Sequence, residues 1–176
     1  MKDKILENLI QKETKRQSDT INLIASENYV SRDVCDALGS VFTNKYAEGY
    51  SKARYYGGNQ VVDELENLTK DRAIKLFRLS FKRWSVNVQP YSGSPANLAV
   101  YLALVPPKEK IMGMQLDMGG HLTHGHKASA TGKLWKQIPY GVNKKTEILD
   151  YDEILRIAKK ENPKLIVAGY TSYSRI

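Results

Sequence analysis

The segment KLIVAG, Lys164 to Gly169, constrains the fold more than any other part of the chain. Leu165 through Ala168 form a continuous apolar run, set off on its amino side by Asn162-Pro163. A strand with one wet face alternates apolar and polar residues; a continuous run reads as a strand covered on both faces, as in a parallel sheet flanked by helices. Proline disfavours helix in the residue before it, so Asn162-Pro163 also ends whatever helix precedes the strand. Upstream, Asp150 followed by Glu153 has capping-box spacing, and Ile154, Leu155, Ile157 and Ala158 follow, which predicts a helix over about residues 151–160.

The same alternation extends toward the amino terminus. KIMGM and VNVQP read as short strands, the latter stopped by Pro90, and SGSPAN opens a helix that runs through LAVYLALV, with Ser94 as cap and Pro95 at the first helical position. A longer helix begins after Gly57-Gly58-Asn59, where Val62, Leu65, Leu68, Ala73, Leu76 and Phe77 roughly share one face. SRDVCDALGS predicts a short helix capped by Ser31 and ended near Gly39, and Ile5, Leu6, Leu9 and Ile10 mark an amphipathic first helix. Strands alternating with helices predict an α/β domain with a mainly parallel sheet, whose function gathers in loops at the carboxyl ends of the strands.

At 176 residues and 41% hydrophobic composition, the chain is long enough for one real core and too apolar for a disordered segment. Its 27 Lys and Arg against 19 Asp and Glu give +8, which suits nucleic acid, a membrane surface or small anions without choosing among them. A single cysteine, Cys35, allows no internal disulfide and fits a reducing compartment. Apolar runs fall short of a membrane span, and the first residues mix acids with bases and lack an apolar signal core. The expectation is a soluble, cytoplasmic protein.

Three stretches carry candidate chemistry. In SGSPAN, Ser92, Gly93 and Ser94 stand between a strand and a helix, where free N–H groups, two hydroxyls and the helix dipole suit a phosphate; plain helix capping is the competing reading. GGHLTHGHK holds His121, His124 and His126, but His-x2-His-x-His lacks a fourth ligand of usual spacing, so no metal is expected there. The glycines before His121 instead permit a loop that brings an imidazole flat against a ligand. In NKYAEGYSKARYYGG, Asn44 to Gly58, four tyrosines stand among cations with almost no aliphatic residue, neither a core strand nor an amphipathic helix. That composition fits single-stranded nucleic acid, an interface loop, or a catalytic loop in which Glu48 carries a proton. No recognised RNA-binding motif accompanies it.

Taken in order, LIASENY, TNKYAEGY, RYYGG, NVQPYSGSPAN and GGHLTHG resemble the serine hydroxymethyltransferase family, pyridoxal-phosphate enzymes of fold type I, over essentially the whole chain. The resemblance implies transfer of the serine hydroxymethyl carbon to tetrahydrofolate, leaving glycine, with no nucleic acid or membrane partner. It implies a helical arm and entry segment over residues 1–40 and the first part of the coenzyme-binding large domain over 41–176. Ser92, Gly93 and Ser94 look like the phosphate cup, His121 like the ring stacked on the coenzyme, and Thr171 holds a coenzyme-contacting position where the family usually has serine. Ser26 matches the serine near the substrate carboxylate; Leu116, Gly120 and Leu122 match folate positions.

In this family the tyrosine loop crosses a homodimer interface. Tyr46, Glu48 and Tyr56 would then complete the partner's site, with Tyr55 beside the substrate, Tyr56 near the coenzyme phosphate and Glu48 a candidate for proton transfer. Ser51-Lys52 stands where the family usually has Pro-Gly. The family's coenzyme-bonding lysine, its pyridine-pairing aspartate and its carboxylate-gripping arginine would fall after Ile176. The sequence is therefore expected to be an amino-terminal piece, inactive alone; a noncatalytic subunit pairing with a full-length enzyme is the alternative.

Overall fold

In the computed structural model, which describes residues 1–175, helix α1 spans Lys4–Asp19. Asp3 caps it, its carboxylate accepting from the N–H groups of Ile5 and Leu6 at 3.0 Å each. None of its residues is buried, so the apolar stripe Ile5, Leu6, Leu9 and Ile10 lies open. An irregular connection holding LIASENY leads to α2 (Arg32–Leu38), which begins at Ser31 and ends at Gly39 as the sequence predicts. Two short antiparallel strands follow, β1 (Gly49–Tyr50) and β2 (Ala53–Arg54), joined through Ser51-Lys52.

Helix α3 (Gln60–Leu76) starts just after Gly58, whose φ of 76° makes the left-handed bend that glycine accepts without strain. Its predicted apolar face is only partly used: Ile74 is the one buried residue, while Leu65, Leu68, Leu76 and Phe77 are exposed. The expected strand at VNVQP does not form. Asn87 bonds through its side chain to the Gln89 N–H at 2.9 Å, and the Gln89 amide reaches the Gly49 carbonyl at 2.8 Å, so local bonds replace a ladder.

The remainder is a βα succession: α4 (Gly93–Leu104), β3 (Lys110–Met114), α5 (Ala130–Leu134), β4 (Lys136–Tyr140), α6 (Tyr151–Glu161) and β5 (Leu165–Ile166). The three strands pair in parallel in the order β4-β3-β5. Strand β3 is central and alternates strictly. Ile111 packs with Tyr101, Val105 and Trp135 beneath α4, whereas Met112 and Met114 pack with Tyr140 and the Ile154, Ile157 and Ala158 face of α6. Trp135 stands edge-on to Tyr101 at 5.7 Å, and its indole N–H donates to the Val105 and Pro106 carbonyls.

Three further expectations need correction. Among the described residues KLIVAG forms an edge strand rather than one buried on both faces: β5 pairs there only with β3, and Ile166 is half exposed. Helix α4 begins a residue or two earlier than read, with Ser92 at the cap and Pro95 inside the first turn, where its missing N–H costs nothing. Of the capping box at α6, only half exists. Asp150 accepts from the Glu153 N–H at 3.0 Å, but the Glu153 carboxylate turns outward to Arg156 at 2.6 Å.

Candidate functional site

After β3 the backbone must turn sharply. Leu116–Met118 make one tight helical turn, closed by Gly119 at φ 106°, and Gly120 is buried against the strand end. A Cβ on Gly120 would stand 2.0 Å from the Met114 carbonyl oxygen, so packing alone requires glycine there. The Gly119 carbonyl accepts from the Thr171 N–H at 2.7 Å and from Ser172 at 3.3 Å, which ties the loop after β3 to the loop after β5. Leu116, Gly120, His121 and Thr171 thus gather at the carboxyl ends of two neighbouring strands. The chain leaves β3 for β4 on one side, then crosses back to β5 on the other, a topology that opens a crevice at these ends.

His121 begins a second tight turn, Leu122–His124, and its Nδ1 accepts from the Thr123 N–H at 3.1 Å. The Thr123 hydroxyl lies 2.8 Å from the same nitrogen and 2.9 Å from the Asn97 amide of α4. His124 is buried, 5% exposed, with Nδ1 3.3 Å from the Met114 carbonyl. Burial holds its pKa below the ordinary histidine value; the Met114 carbonyl pulls the other way and loses. The ring fits because β3 has Gly113 opposite it: a Cβ there would lie 2.8 Å from the His124 Cβ. Among the described residues, no three His, Cys, Asp or Glu side chains group as metal ligands.

An open, mainly apolar cleft of about 450 Å³ runs between the start of α4 and this histidine turn. Ser92, Ser94 and Leu122 line it, together with Tyr91, Leu98 and Thr131. Ser92 makes no side-chain capping bond, so the hydroxyls and first N–H groups of α4 remain available. Around the position a Gly93 Cβ would take, nothing lies within 4 Å.

The tyrosine residues form a separate cluster. Tyr46 and Tyr56 meet edge to face at 5.0 Å, the Tyr46 hydroxyl donates to the Glu48 carboxylate at 3.3 Å, and the Tyr55 N–H donates to the Glu48 carbonyl at 3.2 Å. Glu48 and the ring of Tyr55 are exposed. None of Ser26, Tyr46, Glu48, Tyr55 and Tyr56 lines the cleft beside α4, and Ser26 lies exposed in the turn between α1 and α2.

What holds the hairpin is Arg54, whose structural part sequence reasoning missed. Its side chain, 5% exposed, pairs with Asp63 at 2.8 Å and Glu66 at 2.7 Å on α3 and donates to the Ala47 and Gly49 carbonyls. The Lys52 backbone N–H and Arg54 hold the Asp63 carboxyl below its usual range. For Glu66, burial pushes upward, yet bonds from Lys70, Arg54 and Gln89 outweigh it and the net shift is down. Asp63 and Glu66 stand three residues apart, hence on one helix face, a signal that could have pointed to a shared cation.

A three-stranded parallel sheet between helices, with its glycine and histidine loops at the carboxyl edge and a helix start beside them, defines an α/β protein built around a crevice at one end of its sheet. The chain belongs to the serine hydroxymethyltransferase family, whose model matches residues 1–176. It is 54% identical over 175 residues to a serine hydroxymethyltransferase of Borrelia duttonii, covering 99% of this chain and 41% of the relative. The protein of that name from Limosilactobacillus reuteri is 58% identical over 167 residues, covering 95% and 40%. That from Metamycoplasma arthritidis is 52% identical over 174 residues, covering 99% and 40%. The chain therefore spans about two-fifths of the length of these relatives.

Proposed function

We propose that this chain supplies the arm, the tyrosine hairpin and the phosphate end of a cytoplasmic, pyridoxal-phosphate-dependent serine hydroxymethyltransferase of fold type I. In this reading residues 1–40 are the arm and entry segment and 41–176 the first part of the coenzyme-binding domain. The whole enzyme moves the hydroxymethyl carbon of serine to tetrahydrofolate and leaves glycine.

The residues present fit the phosphate end of the coenzyme. The observation that carries this reading is the uncapped start of α4: two serine hydroxyls and unpaired N–H groups open onto a cleft whose opposite wall is the histidine turn. When bound, the coenzyme would supply an electron sink for the charge left on the amino-acid carbon as the hydroxymethyl group departs. Ser92, Gly93 and Ser94 would hold its phosphate, with Thr171 contributing from the loop after β5. His121 would lie flat against its ring and limit water there. Leu116, Gly120 and Leu122 would border the folate, and Ser26 the substrate carboxylate.

The tyrosine cluster lies apart from this cleft, which supports a homodimer in which Tyr46, Glu48, Tyr55 and Tyr56 serve the partner's site. There the Glu48 carboxylate would take or return a proton at the substrate hydroxyl, steadied by the Tyr46 hydroxyl it already accepts from. Phenols suit that task because they offer flat apolar area with a polar tip.

Equilibrium titration of pyridoxal phosphate into the purified chain, followed by absorbance, tests the phosphate end. Each lost hydroxyl bond to a charged group is expected to weaken binding by about tenfold, so the Ser92→Ala, Ser94→Ala pair should lose most affinity, and inorganic phosphate should compete. Unchanged affinity in that double variant would sink the reading.

A further inference from the structure

We propose that Asn97 and Thr123 are positioning residues that hold the His121 imidazole in a single orientation and as its Nε2–H tautomer. The first link is a group that cannot rotate. The Thr123 backbone N–H donates to His121 Nδ1 at 3.1 Å, and a backbone amide can only donate, so that nitrogen presents a lone pair. The Thr123 hydroxyl, 2.8 Å from the same Nδ1, must then donate to it as well. A hydroxyl has one proton; toward Asn97 the Thr123 oxygen can therefore only accept, and Asn97 must present its NH2 group at 2.9 Å.

Each link dictates the next, from the turn back to the second turn of α4. Thr123 is 5% exposed and Asn97 half buried, so water has little access to these bonds. With Nδ1 occupied by two donors, the proton of the neutral ring resides on Nε2, which becomes the donor that the ring offers to a ligand. One helix then serves both features: its first turn presents Ser92 and Ser94 to the cleft, and its second, through Asn97, holds Thr123, which lines the same cleft and carries the His121 ring. The significance of a fixed ring rests on the function proposed above, since a flat contact with a coenzyme demands a fixed plane. The tautomer itself does not.

The test is nitrogen NMR of the full chain carrying 15N-labelled histidine, at a pH of about 8.5 to keep ordinary histidines neutral and without any coenzyme. His121 is expected as the Nε2–H form alone. Asn97→Asp exchanges a donor for an acceptor of the same size; the Thr123 hydroxyl then turns toward the carboxylate, and the Nδ1–H form, still opposed by the Thr123 backbone N–H, rises from undetectable to a detectable minor share of the signal. Thr123→Val, which keeps the backbone N–H and loses the hydroxyl, should loosen the ring to the same degree, and Thr123→Ser should keep it locked. A mixture or an Nδ1–H ring in the unmodified chain overturns the proposal, as does a His121 unmoved by both Asn97→Asp and Thr123→Val. The unmodified chain decides the first point even where a variant fails to fold. Failure of pyridoxal phosphate to bind would sink the proposed function and leave this result standing.

Discussion

At the scale of single residues, β3 is shaped around a buried imidazole. Gly113 faces the same side as Ile111, and the space its missing Cβ leaves is filled by His124. Gly113→Ala should force the ring or the strand to shift and cost about 1–3 kcal/mol, read as a lower urea midpoint with an unchanged slope. The buried ring also makes stability depend on pH. Its folded pKa lies below the unfolded value of about 6.5, so the unfolded chain takes up a proton that the folded one refuses. Stability is therefore intact above about pH 6.5 and declines as pH falls toward the folded value, by at most about 1.4 kcal/mol per unit. Urea midpoints at pH 7.5 and 5.5 check this, and His124→Gln should flatten the difference. The sequence shows that GGHLTHG is a loop able to bring a ring against a ligand. Which histidine is buried, and which is held by Thr123, depends on a glycine in a neighbouring strand that no local pattern reveals.

At the scale of elements, the hairpin β1–β2 turns through Lys52 at φ 65°, a left-handed conformation that costs a residue with a Cβ roughly 1 kcal/mol or more. Lys52→Gly removes that strain and keeps the backbone N–H that bonds Asp63 at 2.9 Å. Because glycine also gives the unfolded chain more freedom, a net gain of under about 1 kcal/mol is expected, seen as a small rise in thermal midpoint. A drop would show that the lysine side chain contributes something the backbone geometry does not. Helices are the legible elements: α2 and α6 begin and end at Ser31, Gly39, Asp150 and Asn162, and α3 begins after Asn59, residues of the types that favour helix ends. Strands are less so. No element is read at KQIPY from the sequence; its Pro139 argues against a central strand and is tolerated because β4 lies at the sheet edge. VNVQP has strand composition but no neighbour to pair with, and pairing is non-local information. Clustering of Leu116, Gly120, His121 and Thr171 is likewise a product of the β4-β3-β5 order, which the parallel-sheet expectation suggested only in outline.

At the scale of the whole molecule, surface area decides what the chain needs. A compact monomer of 19.9 kDa exposes roughly 8,700 Å². This chain exposes 14078 Å². The difference, about 5,400 Å² on one chain, exceeds the one-partner share of an obligate interface, which buries roughly 2,000–5,000 Å² over both partners together. It is apolar where it matters: the stripe of α1 is open, α3 leaves Leu65, Leu68, Leu76 and Phe77 uncovered, and Phe81 and Trp84 follow, each 55% exposed. Surfaces of that kind are stable in water only when another surface covers them. The purified chain by itself is therefore expected to bind a hydrophobic dye such as ANS strongly and to sediment as an associated species rather than as a monomer. Helix content by circular dichroism should persist while dye binds, because α1 has its own cap in Asp3 and α3 is held by the pairing of Asp63 and Glu66 with Arg54. A dye-silent, monodisperse monomer would mean that these helices fold back onto the sheet and cover it themselves, and the hairpin would then be free of any role at an interface between chains.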